Sequence, residues 1–173
     1  MTGGTTLTTL TTSSNATVGG TLAVAGYMGC ACSANYYNSG VFVNNATTSV
    51  KWGALSAYGP QTITHTTNTG QFRVANAGFY LVVVNLTIDS TGYGGGGPTA
   101  LNIAYSTNDS SYSNVVVVQQ NYQFPGSQNI YCTGMLNMAA NSYVQVYFYN
   151  NSGATVGFTN TAAYSTIQIA RVA

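Results

Sequence analysis

A chain of 173 residues with three Lys/Arg, two aspartates, one histidine and no glutamate, 3% charged in all, has few groups for acid/base pairs, metal-ligand clusters or basic grooves. That composition argues against most enzymes and nucleic-acid binders. A net charge of +1 adds no long-range pull toward phosphate or anionic membranes, and a 45% hydrophobic content with 14 Tyr and 6 Phe argues against disorder.

In chain order, residues 1–28 come first and are rich in Thr and Gly. Leu7, Leu10 and Val18 are isolated, and Leu22 and Val24 alternate with small residues between Gly20 and Gly26. Such a segment has too few large side chains to bury itself alone, but several copies could wind around each other. The reading is a self-associating stalk or capsid-attachment segment, with a linker or first edge strand as the alternative. The run Gly20-Thr-Leu-Ala-Val-Ala-Gly26 resembles the Gly-x-Leu-x-Val-x-Gly segments of phage and viral fibre shafts. The start, Met1-Thr-Gly-Gly-Thr-Thr, has no basic residues followed by an apolar run, so no secretory signal is expected.

Residues 29–173 read as the head domain. Three cysteines occur, Cys30, Cys32 and Cys132. The C-x-C pair is poorly placed to bridge within one strand, and three thiols cannot complete a four-thiolate zinc site in one chain. Small thiols, a bridge from Cys132 to one of the pair, and an intersubunit bridge all remain open.

Short β-branched and aromatic runs separated by Gly, Pro, Asn and Ser clusters predict strands at 40–43, 50–56, 61–65, 70–74, 78–89, 99–106, 113–120, 127–138, 143–150, 155–159 and 163–171. No window shows ten residues of 3.6 periodicity. The expected class is all-β, a two-sheet sandwich or jelly roll. The longest purely apolar stretches, such as Val115 to Val118, are strand-sized, so no membrane insertion is expected.

Within Gly70–Val84, Phe72 is followed by five residues and Gly78, then by Tyr80, Val82 and Val84 at alternate positions. Period two puts those three on one face, and Gly78 permits a tight corner. This stretch resembles the complement-type and tumour necrosis factor (TNF)-like jelly roll, whose signature is an aromatic, five residues, Gly-x-Tyr and alternating large residues. The segments 100–106, 139–146 and 163–170 resemble later strands of the same fold. Val82 and Val84 stand where aromatics are usual, and His65 where an aromatic or Leu is usual. The resemblance implies a homotrimer, often above a thin stalk. A stalk of three weakly apolar strands would then be held together by its heads.

Few residues remain that could carry chemistry. His65 lacks a nearby second histidine or cysteine, so a catalytic triad would need Asp89 or Asp109 brought to it by the fold. The run Asp89 to Pro98 is glycine-rich but lacks Lys and precedes a strand, which fits a loop at the tip of a sandwich rather than a phosphate-binding loop. Asp109 could contribute to a calcium site only with many partners. Sequons begin at Asn15, Asn45, Asn85, Asn108 and Asn150, as chance allows in so Asn- and Thr-rich a chain.

Tyr93, Asp109, Tyr112 and Tyr122 lie in or beside loops with Asn, Ser and Gly, the mixture that adaptable binding surfaces use, and are the candidate receptor-contact residues. The expectation is a non-enzymatic homotrimeric viral fibre, spike or capsid-decorating head. It would have no cofactor or metal, contact other virion proteins through its N-terminal segment, and touch a host-surface glycan or receptor, not nucleic acid, at the virion surface. The alternatives are a cellular spore-coat or secreted lectin-like module, at the spore surface or outside the cell, and a single-jelly-roll capsid subunit.

Overall fold

In the computed structural model, the described residues are 31–36, 41–58, 63–67, 69–89, 99–120, 127–158 and 165–172. The proposed stalk, Cys30, Tyr93 and Tyr122 therefore lie outside them. Every element among the described residues is a strand: β1 Ala31–Tyr36, β2 Val41–Phe42, β3 Ala46–Ser49, β4 Trp52–Tyr58, β5 Ile63–His65, β6 Gln71–Val74, β7 Gly78–Asp89, β8 Thr99–Ser106, β9 Ser113–Gln120, β10 Ser127–Met138, β11 Ser142–Asn150, β12 Val156–Phe158 and β13 Thr166–Arg171.

The strands form two antiparallel sheets. One runs β2-β12-β7-β13-β1-β4 with β10 on the free edge of β7, and the other runs β5-β6-β11-β8-β9 with β3 beside β11. The long strand β7 organises the first sheet, pairing with β10 from Gly78↔Met138 to Asp89↔Ser127 and with β13 from Tyr80↔Arg171 to Asn85↔Thr166.

Alternation decides what faces inward. Tyr80, Val82, Val84, Leu86 and Ile88 of β7 are all fully buried, together with Ile130, Leu136 and Met138 of β10 and Ile167 and Ile169 of β13. From the other sheet Phe72 and Val74, Leu101 and Ile103, and Val144, Val146 and Phe148 meet them, and Trp52 joins from β4. Phe42 lies edge-on to Phe148 with ring centroids 5.0 Å apart. Burying these side chains, each worth about 1.5–3 kcal/mol relative to exposure, drives the two sheets together.

The predicted Gly78 corner has its physical basis in a φ of 152°, a region that side chains disfavour. Beside it the Tyr80 hydroxyl donates to the Asn76 carbonyl at 2.7 Å, satisfying the one polar atom of a buried ring. His65 departs from the usual pattern without losing its packing. Its ring stacks on Phe72 at 4.3 Å and an interplanar angle of 14°, so an imidazole does the work of the expected aromatic.

Two strands, β1 and β3, were not anticipated from the sequence, and the expected strand at 163–171 begins at Thr166. Neither Ala31–Tyr36 nor Ala46–Ser49 carries alternating large side chains. Their conformation comes from pairing: β1 lies between β13 and β4, and β3 lines up along β11.

Candidate functional site

Two surfaces emerge, one on the outer face of each sheet. On the first sheet, the residues of β7, β10 and β13 that alternate with the core project outward. Phe79 remains 45% exposed, Tyr131 58%, Met135 61% and Val172 52%. Register places them in rows: Met135 is level with Leu81, and Leu81 with Ala170. Tyr131 is level with Asn85, which in turn pairs Thr166. Val172 joins Phe79 through a 2.8 Å backbone hydrogen bond to its carbonyl.

From Phe79 to Thr87 of β7, and at the positions level with them on β10 and β13, the outward residues are Phe, Leu, Val, Met, Tyr and Ala with Thr, Asn and Gln between them, and none is charged. Large exposed apolar patches of this kind mark association surfaces. Within it, Asn85 Oδ1 is buried and has no hydrogen-bond partner among the described residues, a cost that a partner able to donate would remove.

The outer face of the second sheet is polar. Across β5, β6 and β11 the register sets Thr64 beside Arg73 and Arg73 beside Tyr143. Gln71, two residues along β6, shares that face. The turn after β8 brings in Asp109, whose φ of 60° is one that Asp and Asn tolerate better than most residues. The Asn108 carboxamide shapes this turn, accepting from the Ser110 and Ser111 backbone N–H groups at 3.2 and 3.3 Å. These elements border an open pocket of about 250 Å³ whose wall also includes Thr66, Thr69 and His65.

Two of the four loop residues expected to contact a ligand meet here. The Tyr112 hydroxyl donates to Asp109 Oδ1, and its ring stands edge-on to Tyr147 at 6.0 Å. Burial, followed by the hydrogen bond and the negative charge of Asp109, pushes the Tyr112 phenol well above its ordinary range. Tyr147 is raised as well, by burial first and Asp109 second. The Tyr147 hydroxyl donates to Gln145 Oε1 at 2.7 Å, and Gln145 Nε2 donates to Ser49. Arg73 donates to Asn141 Oδ1 at 2.6 Å.

His65 ends β5, within the strand expected at 61–65. Its Nδ1 and Nε2 lie 2.7 and 3.1 Å from the carbonyl oxygens of Gln71 and Trp52, so the ring ties β4 to β6. A carbonyl oxygen only accepts, so whichever ring nitrogen carries the proton donates to the scaffold; Asp109 lines the same pocket as His65. Among the described residues no three His, Cys, Asp or Glu side chains gather as a metal site would require.

Cys132 is a buried free thiol, and burial pushes it up to about 11. Cys32 sits in β1, separated from β10 by β13 and β7. Three strand spacings, about 14 Å, exceed the roughly 7 Å limit between bridged Cα atoms, so these two do not pair within one chain. Of the sequons, Asn150 is buried and donates to the carbonyls of Phe42 and Ala154, whereas Asn45 and Asn108 are exposed.

The sandwich defined by these sheets is an all-β TNF-like jelly roll. In particular, murine APRIL at pH 8.5 superposes with a TM-score of 0.63 over 82% of this chain and 98% of its own, at 10% sequence identity. Eiger TNF from S. frugiperda superposes with a TM-score of 0.58 over 83% of this chain and 92% of its own, at 14% identity. Comparison of the sequence with protein-family models and with curated proteins returns no match.

The apolar outer face of β7 escaped the sequence reading, although a signal for it was present. The run Phe79-Tyr-Leu-Val-Val-Val84 is apolar at every position, the pattern of a strand covered on both faces.

Proposed function

We propose that this chain is a homotrimeric, non-catalytic recognition head whose protomers meet through the outer face of β7, β10 and β13. The observation that carries the proposal is the uncharged apolar patch around Leu81, Met135 and Phe79. An uncharged patch can meet its own copies around a symmetry axis without like-charge repulsion. The similarity of the fold to TNF-family structures supports the same arrangement.

The head is placed on a virion as a fibre, spike or capsid-decorating protein that attaches to a host surface. Its Gly-x-Leu-x-Val-x-Gly segment at Gly20–Gly26 and its 3% charged composition support that setting, because contacts made without charges are little affected by salt. Fluorescently labelled protein should bind host cells saturably and keep that binding as NaCl rises from about 0.1 to 1 M, where the Debye length shrinks to about 3 Å. Absence of saturable binding contradicts attachment. Capsid and packaging genes beside its own support the virion, and spore-coat or secretion genes there favour a cellular surface module.

A further inference from the structure

We propose that the cavity between β5, β6, β11 and the Asp109 turn is the binding site for a single neutral pyranose. This rests on reading the chain as a recognition head and names the chemistry that the head recognises.

Size is the first argument. At about 250 Å³ the open pocket lies below the roughly 300–1,000 Å³ of drug-sized sites and has room for one sugar ring. The lining is the second. Asp109 is an acceptor-only group, Arg73 donor-only, and Gln71 offers both, while Thr64, Thr66 and Thr69 add hydroxyls that donate or accept. A pyranose needs that mixture, because each of its hydroxyls both donates and accepts. Tyr143 supplies a ring to the same wall, an apolar surface for the C–H face of a sugar.

Charge decides against the competing ligands. Asp109 and Arg73 in the wall offset each other, so the site has no net charge to draw in a simple anion or cation. Each is also held in place by a neutral neighbour, Asp109 by Tyr112 and Arg73 by Asn141, so the planar groups that a sugar would engage are positioned beforehand. His65 lines one side, its ring nitrogens 2.7 and 3.1 Å from the carbonyl oxygens of Gln71 and Trp52.

The test is saturation-transfer difference NMR on the full chain with glucose, galactose, mannose, fucose, N-acetylglucosamine and N-acetylgalactosamine, with sialic acid and free glutamate as charged controls. Asp109→Asn and Arg73→Gln are measured alongside. Asn tolerates the backbone at position 109, and Arg73 is exposed, so both variants keep the fold, which circular dichroism and light scattering verify. At least one neutral sugar should give saturation transfer, with its affinity falling about tenfold or more in each variant, the loss expected for a charge-assisted hydrogen bond.

Transfer to none of the neutral sugars, transfer only to the charged controls, or affinities unchanged in both variants would overturn the site. Saturable cell binding without sugar binding would sink the pyranose site while leaving the recognition head standing. The mass of the unmodified protein tests the trimer independently of either.

Discussion

Replacing Met135 with glutamate should separate the protomers without unfolding them. In one protomer Met135 is 61% exposed, and full burial of a Met side chain is worth about 1.5–3 kcal/mol. Covering the remaining surface on assembly therefore contributes about 1–2 kcal/mol per chain, or about 3–5 kcal/mol over a trimer. A carboxylate forced into the same place would cost several kcal/mol more, and symmetry presents it three times. Met135→Glu is therefore expected to weaken assembly by at least about a thousandfold, since about 4 kcal/mol corresponds to that factor. Multi-angle light scattering at micromolar concentration should return a monomer mass, with the far-UV circular dichroism of a β-sandwich preserved. Thr47→Glu, on the exposed outer side of β3, should leave the mass of the assembly unchanged. A Met135→Glu protein that keeps the full mass would refute the placement of the interface.

Gly70→Ala should destabilise the head by about 1–3 kcal/mol, the usual cost of overpacking. An added Cβ would lie 2.7 Å from Gln145 Nε2 and 3.0 Å from the Val50 carbonyl, and closer still to Ser49 Oγ; an unchanged denaturation midpoint would contradict this packing. Tyr112 and Tyr147 have phenols raised in the folded state, so the neutral form is the one that folding favours. Their contribution to stability is intact below the ordinary phenol value near 10 and fades as pH climbs above it. Ultraviolet titration should show fewer phenolates at pH 10.5 in the wild type than in a Tyr112→Phe, Tyr147→Phe protein corrected for the two lost rings; equal fractions per tyrosine would contradict the shifts. Cys132, buried and raised to about 11, should resist iodoacetamide at pH 8 in the native protein and react once unfolded; peptide mapping showing native alkylation at Cys132 would contradict its burial.

The parts of the fold legible in the sequence are those whose side chains alternate in size. Tyr80, Val82 and Val84 announced both a strand and its buried face, and Phe72 with Gly78 located the corner before it. Strands β1 and β3 left no such trace, since a run such as Ala46-Thr-Thr-Ser49 acquires its extended form from the hydrogen bonds of β11. The outer face of β7 was hidden for a different reason. Where both faces of a strand are apolar, alternation vanishes, so Phe79 and Leu81 merged with the core residues beside them.

Of the loop residues expected to contact a ligand, Asp109 and Tyr112 are three positions apart and do meet. The rest of the cavity was invisible in sequence, because Thr64, Arg73 and Tyr143 become neighbours only through the register of β5, β6 and β11. In the sequence His65 shows only as the end of an expected strand, standing where an aromatic or Leu is usual. Its stacking on Phe72 depends on cross-strand pairing, which spacing along the chain does not reveal.

The association of protomers through the outer face of β7, β10 and β13 is tested most directly by the mass of the unmodified protein in solution, measured by native mass spectrometry or light scattering. The account predicts a species of three times the 18.0 kDa chain mass that persists on dilution to low micromolar concentration. A single species at 18.0 kDa across the same range would contradict it.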